Sequence, residues 1–99
     1  MKVCILGSGA YGIALSSILS KNKVSINMWT FSEEECSKLN ETRISEKLKD
    51  YRIPENVIIK TNMEECIYGS DLIVISVPAF AFEDVVKQMK KFINKKYQF

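Results

Sequence analysis

The stretch that decides the fold is Lys2-Val3-Cys4-Ile5-Leu6-Gly7-Ser8-Gly9-Ala10-Tyr11-Gly12, near the start of the chain. Its first five residues are a short, largely apolar run, and such a run bounded by glycine predicts a strand buried on both faces. Apolar and small residues then recur at helical spacing from Ala10 to about Lys21. The glycines therefore lie in a tight connection between a strand and a helix.

The spacing of Gly7, Gly9 and Gly12 is typical of a loop that binds a dinucleotide pyrophosphate. A pyrophosphate needs backbone N–H groups at a helix N-terminus, where a side chain would hold it away. Gly7 permits the tight turn, Gly9 lets the backbone approach the pyrophosphate, and Gly12 lets the helix pack closely on the sheet. The alternative is a flexible glycine loop without a ligand, but here the motif follows a strand, opens a helix and precedes another strand within ~30 residues. We therefore predict a site for NAD or NADP.

The rest of the chain alternates strands with helices. Ser32 followed by Glu35, and Asn62 followed by Glu65, are capping boxes that predict helix starts. Alternating elements predict a parallel sheet with right-handed crossovers. We expect an α/β fold, a Rossmann-type doubly wound parallel sheet of about four strands in the order 3-2-1-4. The predicted strands are 2–6, 24–29, 57–60 and 71–77, and the predicted helices are 10–21, one capped by Ser32, one from Asn62 to Gly69, and 80–95.

Two segments have weaker patterns. Thr42–Tyr51 is polar and has no clear period, so it is interpreted as irregular or as a weak helix. Tyr97-Gln98-Phe99 is interpreted as the start of a fifth strand. Phe80 and Phe82 are expected in the core or in an interface. The last helix carries an apolar stripe of Phe82, Val85, Val86, Met89 and Ile93.

The end of the second strand, Trp29-Thr30-Phe31, lacks the charge that distinguishes NAD from NADP. An acid there would bind the ribose 2′-OH, and an arginine nearby would bind a 2′-phosphate. Neither is present, and Glu33 to Glu35 are explained as the acidic start of a helix. The choice of cofactor stays open, with Thr30 or Ser32 as candidate hydroxyl partners.

The fourth strand is expected to end beside the cofactor. In the predicted order it neighbours the first strand, so Ser76, Val77, Pro78 and Ala79 should border the crevice. The alternative is a proline that only ends the strand. Tyr11 either covers the cofactor or packs beside the loop. The residues place no general acid or base for hydride chemistry in this crevice.

Composition disfavours several classes of function. The chain has 14 basic and 12 acidic residues, a balance unlike that of nucleic-acid-binding proteins. Three widely spaced cysteines (Cys4, Cys36 and Cys66) and the lack of histidine disfavour a metal site or a disulfide framework. No apolar run approaches the ~20 residues of a membrane span. We expect a cytoplasmic protein with reduced thiols that binds neither nucleic acid nor membranes.

Beyond the glycine motif, the segments KVCILGSGAYGIAL, INMW, EECSKLNETR, IPENV and SDLIVISVPAFAFEDVVKQMK resemble the N-terminal segment of bacterial NAD(P)-dependent glycerol-3-phosphate dehydrogenase. The resemblance implies that the full enzyme interconverts glycerol 3-phosphate and dihydroxyacetone phosphate, feeding phospholipid synthesis. It also implies cofactor contacts at Ala10, Tyr11, Phe31 and Tyr51. Ala10 loses the hydroxyl of the family's usual serine, and Phe31 stands where the family has a basic residue. This departure at Phe31 disfavours a preference for NADP.

The family's catalytic lysine and helical substrate domain come after a fifth strand, beyond Phe99. The resemblance therefore implies that residues 1–99 are one NAD(P)-binding domain of a longer enzyme, without a catalytic residue. The alternatives are another dehydrogenase of the same layout, such as a ketopantoate reductase or a 3-hydroxyacid type, and a non-enzymatic NAD(H)-sensing module. A fourth strand left at the edge of the sheet, and an apolar patch on the last helix beside it, predict a homodimer that buries the strand or the helix. The predicted cofactor-binding residues are Gly7, Ser8, Gly9, Ala10, Tyr11, Gly12, Thr30, Phe31, Tyr51, Val77 and Pro78.

Overall fold

The computed structural model describes residues 1–97, with side chains described through residue 93. Within this range a four-stranded parallel sheet is flanked by helices, and two short antiparallel strands form a hairpin. In chain order the elements are β1 (Lys2–Leu6), α1 (Ala10–Ser20), β2 (Ser25–Trp29), α2 (Glu33–Thr42), β3 (Ile44–Ser45), β4 (Leu48–Arg52), β5 (Val57–Lys60), α3 (Met63–Ile67), β6 (Leu72–Ile75) and α4 (Ala79–Tyr97).

The order of strands in the sheet is β5-β2-β1-β6, which confirms the predicted order 3-2-1-4 for its four strands. β1 lies between β2 and β6, with Val3 opposite Ile26 on one side and Leu72 on the other. All three pairings in the sheet are parallel. The carboxyl ends of the four strands therefore lie at the same end of the sheet, which is where doubly wound folds bind ligands.

Both faces of the sheet are covered, because the apolar strands place side chains alternately on either side. Along β1, Val3 and Ile5 face one core cluster, whereas Cys4 and Leu6 face the other. The first cluster is completed by α1, α2 and the hairpin, and the second by α3 and α4. This three-layer packing explains why the strand sequences are apolar runs rather than alternating patterns.

Both predicted capping boxes start helices. The Ser32 hydroxyl accepts a hydrogen bond from the Glu35 N–H at 3.2 Å. The Asn62 side-chain oxygen accepts one from the Glu65 N–H at 3.0 Å. These caps satisfy donors that the first turn of a helix leaves unpaired.

The prediction of irregular chain or a weak helix over Thr42–Tyr51 is wrong, because this segment contains the hairpin β3–β4. Arg43, in the left-handed conformation with φ 61°, ends α2 and turns the chain. Its guanidinium donates to the carbonyl oxygens of Pro54 at 3.1 Å and Val57 at 2.7 Å. The Ile53 N–H donates to the Arg43 carbonyl at 2.7 Å. These contacts between distant residues hold a segment that has no apolar period of its own.

The prediction of a fifth strand beginning at Tyr97 is also wrong. α4 runs from Ala79 through Tyr97, two residues beyond the predicted end of the helix. Gln98 and Phe99, the other residues of that predicted strand, lie outside the described residues.

The apolar stripe of α4 is confirmed in part. Val85, Met89 and Ile93 pack in the second core cluster. Phe80 and Phe82 are 89% and 50% exposed, so neither belongs to the core. The prediction of a core position for these two rings is wrong, and their placement in an interface stays a prediction.

The cysteines provide a test of this packing. Cys4 and Cys66 are free and buried, and burial raises the pKa of their thiols to about 12 and about 11. Cys36 is partly exposed, although partial burial also raises its pKa. At pH 8 we expect a thiol reagent to label Cys36 first and to label the other two only on unfolding, because the accessible thiolate is the reactive form. Timed labelling followed by mass spectrometry measures this order, and early labelling of Cys4 would contradict the packing.

Candidate nucleotide-binding site

The glycine loop lies directly against the end of β6. The Gly7 N–H donates to the Trp29 carbonyl at 2.8 Å, so the loop begins while β1 is still bonded to β2. Gly7 has φ 120°, and a Cβ at this position would overlap the carbonyl of Ser76. Both the backbone conformation and the contact therefore require glycine here.

Ser76 constrains the other two glycines as well. A Cβ on Gly12 would lie 3.0 Å from Ile5 Cγ2 and from Ser76 Oγ, and a Cβ on Gly9 would lie 3.2 Å from the Ser76 carbonyl oxygen. The Gly12 N–H also donates to Ser76 Oγ at 3.0 Å. The sequence predicted Ser76 only as a border of the crevice. The structure shows that it supports the loop itself.

The first turn of α1 leaves two backbone donors free. Gly9 is the N-cap, and its carbonyl accepts the first helical hydrogen bond from the Ile13 N–H at 3.0 Å. The Gly12 N–H is bonded to Ser76. Within residues 1–97 the N–H groups of Ala10 and Tyr11 have no acceptor, and the turn carries no acidic side chain. Free N–H groups at the positive end of a helix dipole are suited to an anion.

The other predicted contact residues differ in exposure. Tyr11 and Phe31 are 69% and 81% exposed, so Tyr11 does not pack tightly beside the loop. Pro78 is also exposed, whereas the Val77 side chain packs in the second core cluster. Tyr51 is about half exposed on β4 and makes no hydrogen bond to the loop within the described range.

An acid that sequence reasoning missed lies where β2 meets the glycine loop. Ser8 and Thr30 are only 5% and 2% exposed, and both hydroxyls donate to Oε1 of Glu35, from Thr30 at 3.3 Å. The Ser32 hydroxyl accepts the capping hydrogen bond from the Glu35 N–H. Glu35 lies in the first turn of α2, as predicted, and its side chain has this further role, which was not predicted. The capping spacing contained a usable signal, because side chains in the first turn of a helix point back toward its N-terminus, here the end of β2.

A basic residue is paired with this acid. The Lys47 ammonium group, in the turn of the hairpin, lies 3.7 Å from Oε2 of Glu35. The Lys47 N–H donates to Ser45 Oγ at 3.1 Å, which helps to shape the turn. Between α2 and the hairpin is a cleft of about 520 Å³ whose charged lining includes Glu34 and Lys38. Sequence reasoning missed Lys47 because the hairpin itself was not predicted.

The described part of the chain offers neither a metal site nor a membrane-spanning helix. Residues 1–97 contain no cluster of three or more histidine, cysteine or acidic side chains arranged to hold a metal. They also contain no helix with the length and apolar character to cross a membrane. The ion pair of Lys60 with Glu65 at 3.4 Å joins two exposed side chains and contributes little to stability.

Comparison with known proteins adds an independent observation. The family model described as NAD-dependent glycerol-3-phosphate dehydrogenase N-terminus matches residues 2–99. The chain belongs to this family. A Fusobacterium nucleatum protein named glycerol-3-phosphate dehydrogenase (NAD(P)+) is 33% identical over 95 residues, which are 95% of this chain and 28% of that protein. The resemblance noted in the sequence is thereby confirmed.

Solved structures show the same fold in this dehydrogenase family. A glycerol-3-phosphate dehydrogenase from Coxiella burnetii matches 92% of the chain with a TM-score of 0.83 and 25% identity, over 28% of that enzyme. A putative 2-dehydropantoate 2-reductase from Enterococcus faecalis matches 97% of the chain and 31% of its own with a TM-score of 0.69, but at 18% identity this shows only a common fold. The chain spans less than a third of the length of these relatives.

The contact of Gly12 with Ser76 and Ile5 can be tested by stability. We expect Gly12→Ala to lower the free energy of unfolding by about 1–3 kcal/mol through overpacking, even though alanine has the higher helix propensity by roughly 1 kcal/mol. Ser76→Ala removes one of the crowded atoms, so the cost of Gly12→Ala should be smaller in that background. Urea denaturation of the four proteins in a double-mutant cycle measures this. A Gly12→Ala chain as stable as the wild type would contradict the packing.

Proposed function

We propose that this chain is the NAD(P)-binding domain of a glycerol-3-phosphate dehydrogenase, which interconverts glycerol 3-phosphate and dihydroxyacetone phosphate by hydride transfer. The observation that carries the proposal is the pair of free backbone N–H groups on Ala10 and Tyr11. They lie beside glycines at which a side chain would crowd Ser76. A pyrophosphate requires this combination of donors and close approach. Membership of the family supplies the reaction class.

The residues around the loop fit a dinucleotide. A bound NAD or NADP would supply the group that accepts or donates hydride. The exposed ring of Tyr11 is free to cover the ligand, and the exposed ring of Phe31 offers an apolar surface beyond the end of β2. The side chains of Thr30 and Val77 are directed into the protein. Thr30 supports the site by donating a hydrogen bond to Glu35, and Val77 supports it by packing in the second core cluster.

We propose further that residues 1–99 bind nucleotide without turning over glycerol 3-phosphate. The chain contains no histidine, and the acid beside the loop, Glu35, already accepts two hydroxyl hydrogen bonds. The catalytic lysine implied by the family resemblance falls outside these residues. We also propose a cytoplasmic location, which agrees with three free cysteines.

Ala10→Pro tests the pyrophosphate site. Ala10 is the first residue of α1, where proline is well tolerated, and Gly9 has the extended conformation that precedes proline. The change removes one free N–H and no hydrogen bond that the fold uses. We expect NADH to bind more weakly by about tenfold or more, since a hydrogen bond to a charged group is worth ~1.5–3 kcal/mol.

The matched control for this change is Ala10→Ser, which keeps the N–H and adds only a hydroxyl. It should bind NADH at least as tightly as the wild type, because it keeps the free N–H and restores the hydroxyl that the family usually has at this position. NADH fluorescence titration of the 99-residue chain measures the affinity, and circular dichroism checks the fold. Unchanged binding in a folded Ala10→Pro chain would refute this site.

We propose that the chain self-associates through the β6 edge of the sheet. At the opposite edge, the β5 carbonyls of Val57 and Ile59 accept hydrogen bonds from the side chains of Arg43 and Asn40, at 2.7 and 3.2 Å. Among the side chains that the structure describes, residues 1–93, none donates to the β6 carbonyls. An edge with free N–H and C=O groups is a template for pairing with another strand, and exposed Leu72 lies on it.

Leu72→Lys should therefore weaken association. Leu72 is 46% exposed, so a lysine there places charge on the edge at little cost to folding. Ile58→Lys is the matched control, because Ile58 is 50% exposed on the opposite edge strand. Sedimentation velocity at tens of micromolar should show a dimer for wild type and Ile58→Lys, and a monomer for Leu72→Lys. A monomeric wild type, or equal effects of the two substitutions, argues against pairing at β6.

A further inference from the structure

The carboxylate of Glu35 is positioned by the protein rather than left free in solution. Two hydroxyls from other parts of the fold, Ser8 in the glycine loop and Thr30 after β2, donate to the same oxygen, Oε1. Both donors are almost fully buried, while the Glu35 side chain is 33% exposed. The carboxylate is therefore oriented by two buried donors and remains partly accessible at the end of β2.

The location of this carboxylate corresponds to one part of a dinucleotide. In doubly wound sheets the ribose next to the adenine lies at the carboxyl end of the second strand, where an acid binds its 2′-hydroxyl. Thr30 occupies the position after that strand but is 2% exposed, so it has almost no surface to offer a ligand. Glu35, five residues further along, presents an acid at the same end of β2 from the first turn of α2.

A positive charge stands beside this acid. Lys47 reaches Oε2 of Glu35 from the hairpin turn at 3.7 Å, and its side chain is 52% exposed. Oε1 of the carboxylate thus accepts hydrogen bonds from the two buried hydroxyls, and Oε2 pairs with Lys47. A phosphate on the ribose would approach the negative charge of Glu35 and compete with it for Lys47.

We propose that Glu35 and Lys47 together set the choice between NAD and NADP. Glu35 accepts a hydrogen bond from the ribose 2′-hydroxyl of NAD and repels the 2′-phosphate of NADP. Lys47 is held by Glu35, and in the absence of that carboxylate it becomes a partner for the 2′-phosphate. This inference rests on the proposed nucleotide-binding function. The sequence motif places the discrimination between NAD and NADP in the Trp29-Thr30-Phe31 segment, whereas the inference assigns it to residues outside that segment.

The test compares NADH and NADPH affinities for the 99-residue chain by fluorescence titration. We expect the wild type to favour NADH by about tenfold or more, which corresponds to at least 1.4 kcal/mol. Glu35→Gln keeps the size of the side chain but removes its charge, so it should weaken NADH, strengthen NADPH and reduce the ratio at least about fivefold. In the Glu35→Gln background, Lys47→Gln should abolish the gain for NADPH.

Glu34→Gln is the control, because Glu34 is an exposed acid in the same helical turn and the substitution changes the net charge equally. It should leave the ratio of the two affinities unchanged. A purely structural role for Glu35 would weaken both nucleotides alike, so an unchanged ratio in Glu35→Gln overturns the inference. A wild type that favours NADPH overturns it too. If the wild type binds neither nucleotide, the proposed function is refuted as well. If Ala10→Pro loses binding but Glu35→Gln has no effect on the ratio, only the proposed discrimination is refuted.

Discussion

The close approach of the glycine loop to the end of β6 is the constraint on which the rest of the structure depends. Ser76 contacts the loop at each of its glycines, through its carbonyl at Gly7 and Gly9 and its hydroxyl at Gly12. A contact with a backbone atom cannot be relieved by changing a side-chain rotamer. The backbone itself has little room to move, because the interior is closely packed. A side chain at Gly7 would overlap the backbone at the start of this connection, and one at Gly9 or Gly12 would crowd Ser76.

This constraint also divides the donors at the start of α1. The Gly12 N–H is used by the fold, because it donates to Ser76, whereas the N–H groups of Ala10 and Tyr11 are left for a ligand. Both residues are exposed, so water can satisfy their donors when no ligand is bound. The same strand ending therefore supports the fold and leaves two exposed donors at the start of α1 without burying an unsatisfied polar group.

Helix α2 connects this site to the edge of the sheet. Its first turn carries Glu35 to the hydroxyls of Ser8 and Thr30. Its last residues lead into Arg43, which donates to the β5 carbonyl of Val57 and so closes one edge of the sheet. Arg43 also anchors the hairpin, and the hairpin brings Lys47 to Glu35. The positive charge near the glycine loop is thus placed by the hairpin, a segment remote from the glycine motif.

The sequence by itself determined the order of the four sheet strands, the tight turn at Gly7, and the helix starts at Ser32 and Asn62. The helix starts depend on interactions within a few residues, such as a hydroxyl capping an N–H three positions away. The order of the strands followed from apolar runs that alternate with helices, since this alternation favours a parallel, doubly wound sheet. Only the tertiary structure decided the hairpin and the pairing of Glu35 with Lys47. Both depend on hydrogen bonds and ion pairs between segments that the sheet brings together, and no local spacing in the chain indicates which segments will meet.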